Sequence, residues 1–109
     1  MQKLNKKDYK HAKEIKKLLQ KKFGSIIEEI YCYGSKVKYQ KEDADFDILI
    51  VTSKKINWKK QKEIFSILYN YEIQNNLFLD TRYFSKNEFH YLFSESPFVK
   101  NVKSYGVAI

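Results

Sequence analysis

Tyr33-Gly34-Ser35-Lys36-Val37-Lys38-Tyr39-Gln40-Lys41-Glu42-Asp43-Ala44-Asp45-Phe46-Asp47-Ile48-Leu49-Ile50-Val51 is the stretch around which this chain is organised. A run rich in β-branched and aromatic residues, Ile26 to Tyr33, stops at a Gly-Ser turn. A polar loop follows, and two aspartates spaced i, i+2 open a second apolar run. Residues two apart on an extended strand share a face at roughly 6–7 Å, so Asp45 and Asp47 converge on one side while Phe46 turns to the other. Phe46 to Thr52 is apolar on both alternations, the pattern of a strand covered on both faces and central in its sheet. Asp47 at the head of such a strand is a partly buried carboxylate, and buried charges persist mainly when paired or bound to metal.

Outward from that stretch, helix and strand alternate. From about Asp8 to Lys22, the residues Ala12, Ile15, Leu18, Leu19 and Phe23 recur at helical spacing with lysines opposite, and Gly24 closes the helix. This basic amphipathic helix reads as one with a core face; its apolar stripe is modest for a membrane-surface helix. Asn57 caps a helix from Trp58 to about Tyr71, with Gln61, Ile64, Phe65 and Leu68 on one side. Asn75 and Asn76 mark a turn. Leu77 to Phe84 reads as a third strand, with Leu77, Leu79 and Thr81 on one face and Phe78, Asp80 and Arg82 on the other. Ser85 and Glu88 have capping-box spacing and Phe84 with Phe89 that of a hydrophobic staple, which starts a short helix at Lys86 ending near Phe93. Ser96-Pro97 opens a last helix, and Gly106 stops it before Val107-Ala108-Ile109. The order predicts an α/β (α+β) domain, a small mixed sheet of about three to four strands with helices packed on it.

Composition bounds the rest. The 109 residues make one domain, 1–109, too small for a catalytic and a separate substrate-binding unit. Apolar residues at 43% and aromatics at 17% supply a packed core and exclude intrinsic disorder. The single cysteine, Cys32, rules out an internal disulfide and fits a reducing cytoplasm. No run approaches the roughly 20 apolar residues that span a bilayer, and the first residues do not read as a signal peptide. The net charge of +8 favours anionic partners. Arg82 is the only arginine, however, and nucleic-acid readers lean on arginine, so direct DNA or RNA binding is not the expected role.

Taken alone, Asp45 and Asp47 read more readily as turn-capping residues than as metal ligands. Asp80 adds a third carboxylate within an apolar strand, where a structural role needs Arg82 or a lysine beside it. Three carboxylates at sheet positions suit hard, oxygen-seeking Mg²⁺ and not zinc, for which His and Cys ligands are missing. The Gly34-Ser35 turn allows close backbone approach to phosphate, and the Ser35 hydroxyl can donate to a phosphate oxygen. Two Mg²⁺ ions held there would stabilise both the attacking and the leaving oxygen of a phosphoryl displacement.

Gly34-Ser35, a nine-residue loop and Asp45-Phe46-Asp47-Ile48-Leu49-Ile50-Val51 resemble the Gly-Ser, Asp-x-Asp signature of the DNA polymerase beta nucleotidyltransferase superfamily. The chain is most similar to its minimal (MNT-type) members, the antitoxins of HEPN/MNT toxin–antitoxin pairs. The likeness runs through the third acid at Asp80 to the closing segment Pro97-Phe98 to Tyr105-Gly106-Val107. It implies the nucleotidyltransferase fold and phosphate binding by Gly34 and Ser35. It implies two Mg²⁺ ions on Asp45 and Asp47, with Asp80 holding the ion that activates the attacking hydroxyl and helping to deprotonate it. It also implies transfer of AMP from ATP to a tyrosine of a HEPN-domain toxin partner. Two features depart from the family pattern: Lys36-Val37-Lys38-Tyr39 lacks the glycine usual after Gly-Ser, and the loop to Asp45 is one residue shorter than its commonest form. Lys36 and Lys38 are candidates to compensate by meeting phosphate.

The other candidates are weaker. His11 lies on the charged face of the first helix and His90 in an aromatic segment, neither with a partner at metal or triad spacing. Trp58, Tyr69, Tyr71, Tyr91 and Phe93 fit a core at helical spacing, or a partner-binding surface. Three functions follow: a protein adenylyltransferase antitoxin, an antitoxin that neutralises its partner by binding alone, or a solitary nucleotidyltransferase acting on a small molecule or RNA end. A homo- or hetero-oligomer fits any of them.

Overall fold

A computed structural model describes residues 4–39 and 45–109. Helix α1 (Lys6–Phe23) is capped by Asn5, whose side chain accepts from the Asp8 N–H at 2.8 Å. It buries Ala12, Ile15, Leu19 and Phe23. Leu18, expected on that face, is 41% exposed. Eighteen lies about 100° round the helix from nineteen, and the core takes only one of two adjacent residues. Gly24 then turns the chain at φ 62°.

Strand β1 (Ile27–Tyr33) leads through Gly34 into a single helical turn, α2 (Ser35–Lys38), where the sequence suggested only a polar loop. Strand β2 (Phe46–Thr52) is buried at every position but Asp47, as its double-apolar pattern predicts. Helix α3 (Trp58–Asn75) starts at the expected Asn57 cap but runs to Asn75, where Asn76 takes the left-handed conformation at φ 53°. Its core face is Ile64, Leu68 and Tyr71. Gln61 and Phe65, expected there, point outward instead. Strand β3 (Leu79–Ser85) is followed by a π-helical turn (Glu88–Leu92), helix α4 (Pro97–Tyr105) and a two-residue strand β4 (Val107–Ala108).

The expected capping box is present in both directions. Ser85 N–H donates to Glu88 Oε1 at 2.8 Å, and Glu88 N–H to Ser85 Oγ at 3.1 Å. What it starts is a wide turn in which Phe93 N–H reaches back five residues to the Glu88 carbonyl.

The sheet order is β3-β2-β1-β4. β1 runs antiparallel to β2 and β4, whereas β2 and β3 are parallel, joined across the sheet by α3. In the sequence Val107–Ala108 is only a tail after Gly106; two residues carry no periodicity, and pairing with Tyr31 and Cys32 makes them a strand.

Alternation along β2 divides the core. Phe46, Ile48 and Ile50 pack with α1 and α3, while Leu49 and Val51 pack on the other face with Phe89, Val99 and Val102. Two polar networks tie the layers, and neither was visible in sequence because its members lie about sixty residues apart. His11 Nδ1 meets Tyr71 Oη at 2.7 Å, and that hydroxyl donates to Glu14 at 2.6 Å. His90 Nε2 meets Glu29 at 2.6 Å, with the Tyr31 hydroxyl donating to the same carboxylate. No helix among the described residues is long and apolar enough to cross a membrane.

Ile50→Ala, at a position with 0% exposure, is expected to lower the unfolding free energy by about 2–5 kcal/mol. Phe65→Ala, 57% exposed, should cost under about 1 kcal/mol. Urea titrations of the two variants check the outward placement of Phe65.

Candidate functional site

The sheet brings the predicted residues together through register. Tyr33, the last residue of β1, stands opposite Asp47, and Asp47 stands beside Asp80 on parallel β3. Neighbouring strands lie roughly 4.8 Å apart, so two carboxylates distant in sequence become adjacent. Asp80 sits on the edge strand and is exposed, as is Asp45 just before β2. Asp47 is half-buried between them.

Gly34 is required here for two independent reasons. Its φ is 79°, a region L side chains avoid. A Cβ built on it would also lie 2.0 Å from Asp47 Oδ2. The turn therefore lies directly against the carboxylate. The Gly34 carbonyl accepts from the N–H groups of Val37 and Lys38, at 3.1 and 2.8 Å, and this winds Ser35 to Lys38 into α2 beside the acids.

Burial, the Asp80 charge and the Asp45 charge, in that order, push the Asp47 carboxyl up to about 6, while Arg82 pulls the other way. The Asp80 carboxyl is within hydrogen-bonding reach of Asp47. Among the described residues no three His, Cys, Asp or Glu side chains are arranged to enclose a metal ion. The trio is thus a close pair, Asp47 and Asp80, with Asp45 adding charge from the flank. Crowded carboxylates that raise one another's proton affinity offer the all-oxygen ligands a hard divalent cation takes, and the donor set fits Mg²⁺.

The two lysines of α2 separate. Lys36 is buried, its Nζ 3.4 Å from both Asp8 carboxylate oxygens and 5.6 Å from the Phe46 ring centre, on the α1 side of the sheet. The nominated Ser35 is half-buried at the start of α2. Lys38 lies over the rings of Tyr39 and Tyr105, at 5.7 and 5.2 Å. Gln40 to Ala44, the glycine-poor part of the loop, fall outside the described residues. A 500 Å³ concavity along α1, lined by Lys6, Lys10, Lys13 and Lys17 among others, holds none of the predicted site residues.

Tyr33 and Arg82 join the site without having been nominated for it. Tyr33 Oη is sealed from solvent, and among the described residues the Arg82 side chain lies near it. Burial and then Asp47 push its phenol up to about 12, against the pull of Arg82. The Arg82 guanidinium carbon lies 5.0 Å from the centre of the Phe98 ring, which meets Tyr33 edge-on at 5.3 Å. Period-two alternation already placed Arg82 on the face of Asp80. Only the β1–β2 register could place Tyr33.

The four-stranded mixed sheet with helices packed on it is the α/β (α+β) architecture expected from the sequence, and it sets the Gly-Ser turn beside Asp47 and Asp80, with Asp45 just before β2. The chain is similar to a chain in the crystal structure of a mutant MntA-HpeT toxin-antitoxin, with TM-score 0.61 and 19% identity, over 90% of this chain and 70% of that one. No protein-family model matches the chain, and no curated protein matches its sequence.

Gly34→Ala is expected to cost about 1–3 kcal/mol from backbone strain alone and to displace the Asp47 carboxyl, read as a lowered Tm. Asp47 has a folded-state value above its unfolded one. Its stabilising contribution is therefore full below about pH 4 and lost as pH rises through about 6. Without divalent ions, the stability of the wild type relative to Asp47→Asn should fall between those limits; parallel thermal melts of both proteins across that range measure it.

Proposed function

We propose that the chain is a Mg²⁺-dependent nucleotidyltransferase that moves AMP from ATP to a hydroxyl of a partner protein, and so acts as an antitoxin. The observation that carries this reading is the Asp47–Asp80 pair, flanked by Asp45 and backed by a turn with no room for a side chain at Gly34. A sequence has little structural reason to place three carboxylates where each raises the cost of ionising the next.

Asp45, Asp47 and Asp80 would hold the metal, which when bound supplies Lewis-acid charge at the transferring phosphoryl group. Gly34 lets the backbone of the turn approach the triphosphate, and the Ser35 hydroxyl donates to one of its oxygens. The acceptor oxygen forms a bond to the α-phosphorus as the bond to the β-phosphate oxygen breaks. Pyrophosphate leaves, and the acceptor proton passes to Asp80 at the open edge of the sheet. Asp47, the most buried of the three, keeps the others in place.

The acceptor we propose is a tyrosine of a HEPN-domain toxin. One feature supports a protein partner: α3 carries an outward stripe of Trp58, Phe65, Tyr69 and Ile73, each at least half exposed. The same stripe favours a second reading, in which the chain neutralises its partner by binding alone.

With radiolabelled ATP and Mg²⁺, the wild type should label the co-expressed toxin, and Asp45→Asn and Asp47→Asn should lower labelling by at least about 10³-fold with Tm retained. Absence of label on the toxin with wild-type protein would sink the transferase reading. Growth rescue by Asp47→Asn in toxin-expressing cells would establish neutralisation by binding.

A further inference from the structure

Arg82 lies two residues beyond Asp80 on the same face of β3, so along one edge of the sheet an acid is followed, roughly 6–7 Å on, by the chain's single arginine. It is exposed, and none of the ion pairs among the described residues includes it. Its position is nonetheless defined. The guanidinium rests on Phe98, which is held edge-on by Tyr33 and by Phe84, at 5.3 and 5.8 Å. The Tyr33 hydroxyl beside it is closed to solvent, and the Arg82 guanidinium reaches near enough to oppose the effect of burial on that phenol. Of the two lysines suggested by the sequence, Lys36 pairs with Asp8 on the α1 side of the sheet and Lys38 lies over the rings of Tyr39 and Tyr105.

We propose that Arg82, seated on Phe98 beside Tyr33, forms a phosphoryl subsite at the edge of the acid cluster, taking the polyphosphate of a nucleoside triphosphate. The inference rests on the nucleotidyltransferase reading and adds to it the cation that meets the substrate. Three acids repel a polyphosphate unless a divalent ion lies between, and that ion neutralises only the oxygens it touches. A guanidinium one side-chain position further along the strand meets the next oxygens with two parallel N–H donors, a geometry lysine cannot supply. The Phe98 face holds the fork in plane without neutralising it.

Isothermal titration of the full chain with ATP, inorganic tripolyphosphate and adenosine, each with Mg²⁺, tests this. Arg82→Ala should weaken ATP and tripolyphosphate binding by roughly ten- to a hundred-fold, leaving any adenosine binding and the Tm unchanged. Arg82→Lys, which keeps the charge and loses the fork, should recover only part of that loss. Should Arg82→Ala prove unstable, Arg82→Lys carries the test: full wild-type affinity in it overturns the bidentate subsite. If Arg82→Ala binds ATP as tightly as wild type while Asp47→Asn does not, the subsite is wrong and the acid site stands. Equal losses for ATP and adenosine place Arg82 at the base and also overturn the subsite. A wild-type chain that binds neither ATP nor tripolyphosphate at millimolar concentration overturns the subsite and the nucleotidyltransferase reading together.

Discussion

The central physical constraint is the placement of a carboxylate at the mouth of a strand that has almost no contact with solvent. From Ile48 to Thr52 every residue of β2 is buried, with helices on one face and the π-helical turn and α4 on the other. Asp47 is where that dry strand meets water. Desolvation and two neighbouring carboxylates both penalise its ionised form, and among the described residues Arg82 acts against them. A carboxylate ionised at such a cost marks a candidate functional position.

Gly34 shows how tightly this constraint governs its surroundings. The β1–β2 register brings the end of β1 alongside Asp47, so the turn after Tyr33 passes within van der Waals reach of the carboxylate. Only a residue without a Cβ fits, and the same residue supplies the positive φ that turns the chain into α2. The Gly34-Ser35 turn and the Asp47 carboxylate are one packing unit, and disturbing either moves the other.

The chain's cations are divided by the sheet. Lys36 turns inward to Asp8, joining α2 to the first turn of α1, where a buried ammonium requires a buried partner. Arg82 stays on the open edge with the acids, resting on the Phe98 ring and opposing the upward push on Asp47. The apolar stripe of α3 lies on another surface of the molecule, its helix packed by Ile64, Leu68 and Tyr71 on one side and bare on the other. The acid cluster at the sheet edge and the apolar stripe of α3 therefore share no residues.

Local pattern alone determined much of this protein. The doubly apolar run after Asp47 identified the central strand, Asn57 and Ser96 announced their helices, and Ser85 with Glu88 announced theirs, because period and capping chemistry act within a few residues. The i, i+2 aspartates and the Gly-Ser turn made the acid site legible for the same reason. Tertiary structure decided what depends on contacts between distant segments. It set the pairing of Asp47 with Asp80 through parallel register, and it chose the inward face of α3, which excludes Phe65. It also assigned Lys36 to Asp8, drew Tyr33 and Arg82 into the site, and made a strand of Val107–Ala108. None of these leaves a periodic or local trace, since each is settled by which strand lies next to which and by how much space remains between them.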